Sequence, residues 1–189
     1  KMSNKMPKYK TIVIDPPWRI TTTGPNSKPC HGTLKRRLDY KTMSDREIFE
    51  FPIDDFAHKN CNLFLWTTHK KLPFALEIIK NWGFKHYCMF TWIKNSGMTM
   101  QGVFRNSELA IFAYRGEFNI PFTGKAIPTA FSAKTGVHSE KPAEFYDIVR
   151  SKTQTPRIDI FARRQHYGFT AWGDEVEPLQ AEPQQILTK

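Results

Sequence analysis

The residues best suited to chemistry come early: Asp15-Pro16-Pro17-Trp18 stands directly after Thr11–Ile14, a continuous apolar run. Ligands of open α/β sheets bind beyond the carboxyl ends of strands, so an acid at that point is placed to act. Two successive prolines carry no N–H, and their rings hold rigid carbonyls that are free to accept hydrogen bonds. Such acceptors suit a poor nucleophile such as the exocyclic amine of a nucleobase, whose lone pair is delocalised into the ring. Asp15 and the Pro16 carbonyl would take the amine hydrogens and draw that lone pair toward an electrophile, while Trp18 stacks on the extruded base. The same four residues also read as a strand terminator with a turn aspartate and a core tryptophan, and the tetrapeptide alone does not choose between the two.

Charge points to the partner. Lysine and arginine number 28 against 18 acids, a formal net charge of +10, which favours polyanions through the long-range field and counterion release. The cations are grouped at Lys1, Lys5, Lys8 and Lys10 and again at Lys28, Lys35, Arg36, Arg37 and Lys41, whereas acids gather from Asp174 to Glu182. This clustering reads as a nucleic-acid-binding face. Lys35, Arg36 and Arg37 fall with Tyr40 in Arg19–Thr42, a long aperiodic stretch expected to form a mobile substrate gate, with phosphates on its cations. Flipping a base costs less in a single strand, so unpaired bases are the expected preference. Cys30, Cys61 and Cys88 form no C-x-x-C pair and read as reduced thiols, and the histidines show no metal-ligand spacing, so no metal is expected. No apolar run is long enough to cross a bilayer and the first residues do not resemble a signal peptide. An intracellular protein with no membrane partner is the expectation.

The elements that must position these residues alternate as in an α/β domain. Strands are expected at Thr11–Ile14, Asn62–Trp66, Tyr87–Ile93, Glu108–Tyr114 and Arg157–Phe161, and helices after the Ser44–Glu47 capping box, at Lys71–Trp82 and within Ser139–Arg150. The sheet should be mostly parallel. Lys94–Ser107 is too short and polar for a crossover helix, so the strand after it is expected to be antiparallel, at the edge. Trp66 and Trp92 end apolar strands and are best read as core, with Trp66 kept as a candidate base-stacking platform. The 189 residues divide into a basic segment 1–9, one domain over 10–176 and a loosely ordered tail 177–189.

The order DPPW (15–18), DYKTMS (39–44), NLFLWTT (62–68), NWGF (81–84), WIK (92–94), HSEKPAEFY (138–146), RIDIFARR (157–164) and AWGDE (171–175) resembles the MT-A-seventy family of N6-adenine methyltransferases. The resemblance runs from about Lys10 to Val176. It implies a Rossmann-like class I methyltransferase fold with permuted motif order, use of S-adenosylmethionine, and transfer to adenine N6 in nucleic acid. The permutation accounts for the lack of a G-x-G-x-x-G after the first strand. By position Lys141 matches the lysine that meets the cofactor's methionine carboxylate. Phe161, Arg163, Gln165 and His166 fall at the ribose contacts, and Asp174 and Glu175 fall where relatives carry amides. Asp15 doubles as a cofactor contact, and Tyr40 matches a tyrosine of the substrate loop. Two alternatives remain: an inactive partner subunit of such an enzyme, or an N4-cytosine methyltransferase. DNA is favoured over RNA because the chain is short and shows no added targeting domain, and a prokaryotic or phage protein would then act in the cytoplasm at the nucleoid. Oligomeric state leaves no mark in the sequence.

Overall fold

The computed structural model describes residues 7–19, 42–100, 102–121, 124–136 and 140–173. Lys35, Arg36, Arg37, Tyr40, Asp174 and Glu175 lie outside them, as do residues 1–6 of segment 1–9 and the whole of 177–189. Seven strands are described: β1 (Tyr9–Ile14), β2 (Ala57–Thr67), β3 (Lys85–Met100), β4 (Val103–Arg115), β5 (Ala130–Ser132), β6 (Arg157–Ile160) and β7 (Thr170–Trp172). They form one sheet in the order β5-β3-β4-β2-β1-β6-β7. Three helices accompany them, α1 (Asp45–Phe49), α2 (Leu72–Asn81) and α3 (Ala143–Lys152).

The TIVI run becomes a central strand because both of its faces are covered. Ile12 and Ile14 join Leu63, Leu65 and Ile158 under α1 and α2, where Ile48, Ala75, Ile78 and Ile79 are fully buried. Val13 faces the other way, with Phe64, Trp66 and Phe112 against Phe145 and Val149 of α3. A strand buried on both faces reads as an unbroken apolar run, and this one pairs in parallel with β2 (Ile12 opposite Leu63) and with β6 (Ile12 opposite Ile158). Since β1 has β2 on one side and β6 on the other, its carboxyl end is where the sheet's winding changes side, the usual place for a ligand crevice.

Two expectations need correction. The antiparallel strand is β4, but it lies inside the sheet, antiparallel to β2 on one side and to β3 on the other. Its run ELAIFA is apolar enough to be buried from both sides, and the edge falls instead to β5, whose three residues pair with Thr91–Ile93. The turn-rich end also contains a strand, β7, in parallel with β6. Both missed strands have three residues, too few to show an alternation.

The capping box at Ser44 is formed: the Glu47 amide donates to Ser44 Oγ at 3.2 Å, and the Ser44 amide donates to Glu47 Oε2 at 2.7 Å. It opens the short α1, whose Ile48 is 1% exposed and anchors the helix on the sheet. Ser44→Ala should cost about 1 kcal/mol of stability, the usual value of an N-cap, read as a shift of the denaturant midpoint at constant slope.

Candidate active site

The chain turns at Asp15 while still tied to the sheet, the Asp15 amide donating to the Ile160 carbonyl at 3.3 Å. Beyond it the prolines are more engaged than the sequence implies. Trp18 N–H donates to the Pro16 oxygen at 2.7 Å, and Met43 N–H to the Pro17 oxygen at 2.9 Å, so neither carbonyl is free and each has one lone pair left. Trp18 is 5% exposed, and its indole N–H donates to the Trp66 carbonyl at 3.1 Å. The ring is thus a fixed wall of the crevice, with little open face for a base.

Lys141, one residue before the Pro142 that caps α3, reaches across to the end of β1. Its Nζ lies 2.8 Å from Asp15 Oδ2, 3.3 Å from Glu108 Oε2 and 5.2 Å from the centre of the Trp66 ring. Glu108 turns its other oxygen to Lys94 Nζ at 2.9 Å. Four charges of alternating sign thus run from β1 through the α3 approach to β4 and β3. Burial works against the Lys141 ammonium, but Asp15 and Glu108 outweigh it and hold its pKa above the ordinary lysine value. Burial likewise pushes Glu108 up, yet Lys141 and Lys94 prevail and leave it below the usual carboxylate range. Both groups are charged at neutral pH. Asp15, Glu108, Lys141 and Arg163 share with the Pro-Pro-Trp turn and Trp66–Thr68 a crevice of about 100 Å³.

A second, smaller hollow of about 20 Å³ shares Asp15, Lys141 and Arg163 with the first and continues toward β6 and α3. Its floor is the buried Asp159, which accepts a hydrogen bond from the Tyr146 hydroxyl at 2.8 Å. Burial pushes Asp159 up to about 8, and nearby Asp15 adds to the rise, against the Tyr146 hydrogen bond and Lys141. Desolvation, and then Asp159, also raise the Tyr146 phenol well above its ordinary value. His166 stacks flat on Tyr146, with centroids 3.5 Å apart and planes 11° from parallel, and burial with Arg164 lowers it to about 4, so it is neutral. Phe161 forms the corner at φ 62°, a left-handed conformation costly for a bulky residue, held by rings of Phe51 at 5.2 Å and Trp172 at 5.6 Å.

The sign of the Asp159 effect is testable. A carboxyl whose folded pKa is raised binds more protons folded than unfolded between about 4 and about 8, so the parent loses stability as pH rises through that window. Asp159→Asn does not titrate. Denaturation at several pH values should show the variant gaining on the parent steadily from pH 5 to pH 8; a gap independent of pH would mean that Asp159 is ionised throughout.

The structure brings Asp15, Lys141, Phe161, Arg163 and His166 to the two joined clefts. Two candidates are placed otherwise than expected, Gln165 outside both clefts and Trp66 at the first but already packed. Gln165 lines neither cleft and donates its side-chain amide to the Phe169 and His166 carbonyls, so it fastens its own turn and does not face a ribose. Trp66 is 1% exposed, packed edge-on against Phe145 at 4.6 Å and beneath the Lys141 ammonium, which leaves no face for a stacked base. Sequence reasoning missed Glu108 and Lys94, although a lone acid heading the apolar run LAIFA was a signal. It also missed Asp159, a single carboxylate inside the strand RIDIF. Among the described residues no group of His, Cys, Asp and Glu could hold a metal, and no helix is long and apolar enough to cross a membrane.

A mainly parallel sheet with helices on both faces, whose charged crevice opens beyond the central strand behind an Asp-Pro-Pro-Trp turn, defines an α/β methyltransferase. The chain belongs to the MT-A70 family, whose model matches residues 9–175. It is 24% identical over 182 residues to the Type II methyltransferase M.MunI of a Mycoplasma species, covering 89% of this chain and 78% of that protein. It is 25% identical over 201 residues to human N(6)-adenine-specific methyltransferase METTL4, covering 91% of this chain and 38% of the relative. To the N6-methyladenosine RNA methyltransferase MTA1 of Pyricularia oryzae it is 23% identical over 208 residues, covering 97% of this chain and 51% of the relative. The chain therefore spans most of the Mycoplasma protein but about half or less of the other two.

Proposed function

We propose that this methyltransferase transfers a methyl group from S-adenosylmethionine to N6 of an adenine lifted out of a nucleic-acid strand, with Asp15 as the hydrogen-bond acceptor of the reacting amine. The observation that carries the reading is the Asp15–Lys141–Glu108 constellation at the carboxyl end of β1. Lys141 bridges the Asp15 and Glu108 carboxyl groups in a partly closed crevice, so Asp15 is held where it can accept from the amine as its nitrogen gives up its lone pair. The second lone pair of the Pro16 carbonyl accepts the other hydrogen. Asp15 has no need to remove a proton before transfer; it stabilises the positive charge that develops on nitrogen.

The donors around the smaller hollow fit the proposed cofactor. Lys141 and Arg163 suit a carboxylate, Glu140 suits an ammonium, the buried Asp159 suits a ribose hydroxyl, and the flat His166–Tyr146 pair offers a polarisable wall. When bound, the cofactor supplies an electrophilic methyl on a cationic sulfur, whose charge the neighbouring carboxylates favour. The hollows are smaller than the ~300–1,000 Å³ of ordinary ligand sites, so entry has to part the Lys141–Asp15 bridge that forms their common wall.

Incubation with methyl-labelled S-adenosylmethionine and separate single-stranded and duplex DNA and RNA, followed by nucleoside mass spectrometry, tests this reading. Label in N6-methyladenine supports it, and the polymer that carries the label decides between DNA and RNA. Label in N4-methylcytosine would reassign the substrate, and no label in any polymer would leave the inactive-subunit reading in its place.

A further inference from the structure

Strands β3 and β4 outrun the rest of the sheet. β2 ends at Thr67, opposite Leu109, yet β3 and β4 pair on to Ile93 opposite Ser107 and, past an irregularity in β3, from Met98 opposite Arg105 to Met100 opposite Val103. At about 3.3 Å per residue this leaves a two-stranded ribbon about 20 Å long. β3 is antiparallel to β4, which is antiparallel to β2, which is parallel to β1. The ribbon therefore projects from the same end of the sheet as Asp15, and Glu108, a wall of the crevice, lies at its root.

Its composition is one-sided. From Ile93 to Ser107 there are two cations, Lys94 and Arg105, and no acid. Lys94 is held by Glu108, whereas Arg105, and Lys134 on the adjoining segment, make no ion pair among the described residues. That segment is fastened to the ribbon by Thr135, whose amide and hydroxyl donate to Asn95 Oδ1 at 3.4 and 3.2 Å. Near the tip Val103 and Phe104 are 59% and 56% exposed. Phe104 lies four residues, about 13 Å, beyond Glu108 along β4. Gly97 is required where the strands close up, because a Cβ there would collide with the Arg105 carbonyl oxygen.

We propose that this ribbon is a nucleic-acid-binding arm: Arg105 and Lys134 take phosphates, and Phe104 stacks on a base of the strand whose adenine enters the crevice. The inference rests on the reading of the chain as a nucleic-acid methyltransferase. A ribbon free of carboxylates, with an aromatic ring beside an unpaired arginine and continuous with the substrate crevice, matches a polyanion with stacked rings, and a sequence-tolerant contact of this kind needs no base-edge readout. A second copy of the chain, with the same net charge of +10, is the poorer match.

The test measures binding apart from catalysis. Anisotropy of a short fluorescent single strand is followed over a salt series for the parent, for Phe104→Ser with Arg105→Ser, and for Val103→Lys, with sedimentation equilibrium and methyl transfer on each. The double substitution should weaken binding about tenfold or more and flatten the logarithmic salt slope by about one. Val103→Lys, which removes no contact, should tighten binding and steepen the slope. Unchanged affinity and slope in both variants would overturn the arm, as would a parent that binds no strand, or variants that alter only the oligomeric state, which would assign the ribbon to a second copy. A parent that shows these binding effects but transfers no methyl would leave the arm standing and overturn the catalytic reading instead.

Discussion

Asp15→Ala should lower the rate constant for methyl transfer by about a hundred- to a thousandfold, the usual consequence of deleting one preorganised partner of a developing charge, and in an ordinary turnover assay would register as loss of activity. The reason lies in the timing of the interaction. The neutral amine of adenine gains little from a carboxylate in the ground state, because its lone pair belongs to the ring; as nitrogen bonds to carbon the N–H groups become cationic and the hydrogen bond becomes charge-assisted. Asp15→Asn should be nearly as damaging, since it preserves shape and one carbonyl but removes the charge. Single-turnover kinetics at saturating donor separate this from weakened binding, which Asp15, a wall of both clefts, can also produce. Turnover near the parent value in Asp15→Ala would assign the tetrapeptide to strand termination alone.

Lys141→Met should have the second-largest effect, and on two measurements together. The parent Nζ stands between two carboxylates at 2.8 and 3.3 Å, with its side chain 8% exposed. Without it, Asp15 and Glu108 confront each other, and breaking a buried ion pair from one side costs about 3–5 kcal/mol, with the lower end expected because both acids keep some contact with water. Affinity for S-adenosylmethionine should fall about ten- to a hundredfold, one charge-assisted hydrogen bond's worth, by calorimetry. Adding Glu108→Gln removes the repulsion and should return part of the lost stability without restoring cofactor affinity. Unchanged stability in Lys141→Met would show that the ammonium does not hold the two carboxylates together.

How much of this was legible beforehand follows from how far each feature depends on distant residues. IVI, LFLW and LAIFA are apolar without interruption, and the need to remove such runs from water is enough to make them buried strands. The Ser44–Glu47 box closes within one helical turn, and a Pro-Pro pair ends β1 whatever surrounds it. The order of motifs, DPPW through AWGDE, was likewise in the chain itself and carried the family assignment that the model match over residues 9–175 shows. The interior position of β4 was decided by pairing across the sheet, where Phe64 lies opposite Phe112 with rings 4.8 Å apart, a choice that no local window contains. The resemblance assigns Lys141 to the cofactor and Glu108 reads as the polar start of a strand, but only the sheet order brings both to Asp15. Trp66 and Gln165 were ambiguous for the same reason: the residue type fixes which bonds and contacts a side chain is able to make, and the tertiary structure alone decides whether the protein has already used them. Burial and element type are therefore largely local and written in the sequence, whereas the charge states of Lys141 and Glu108 depend on partners that meet only when the sheet is assembled.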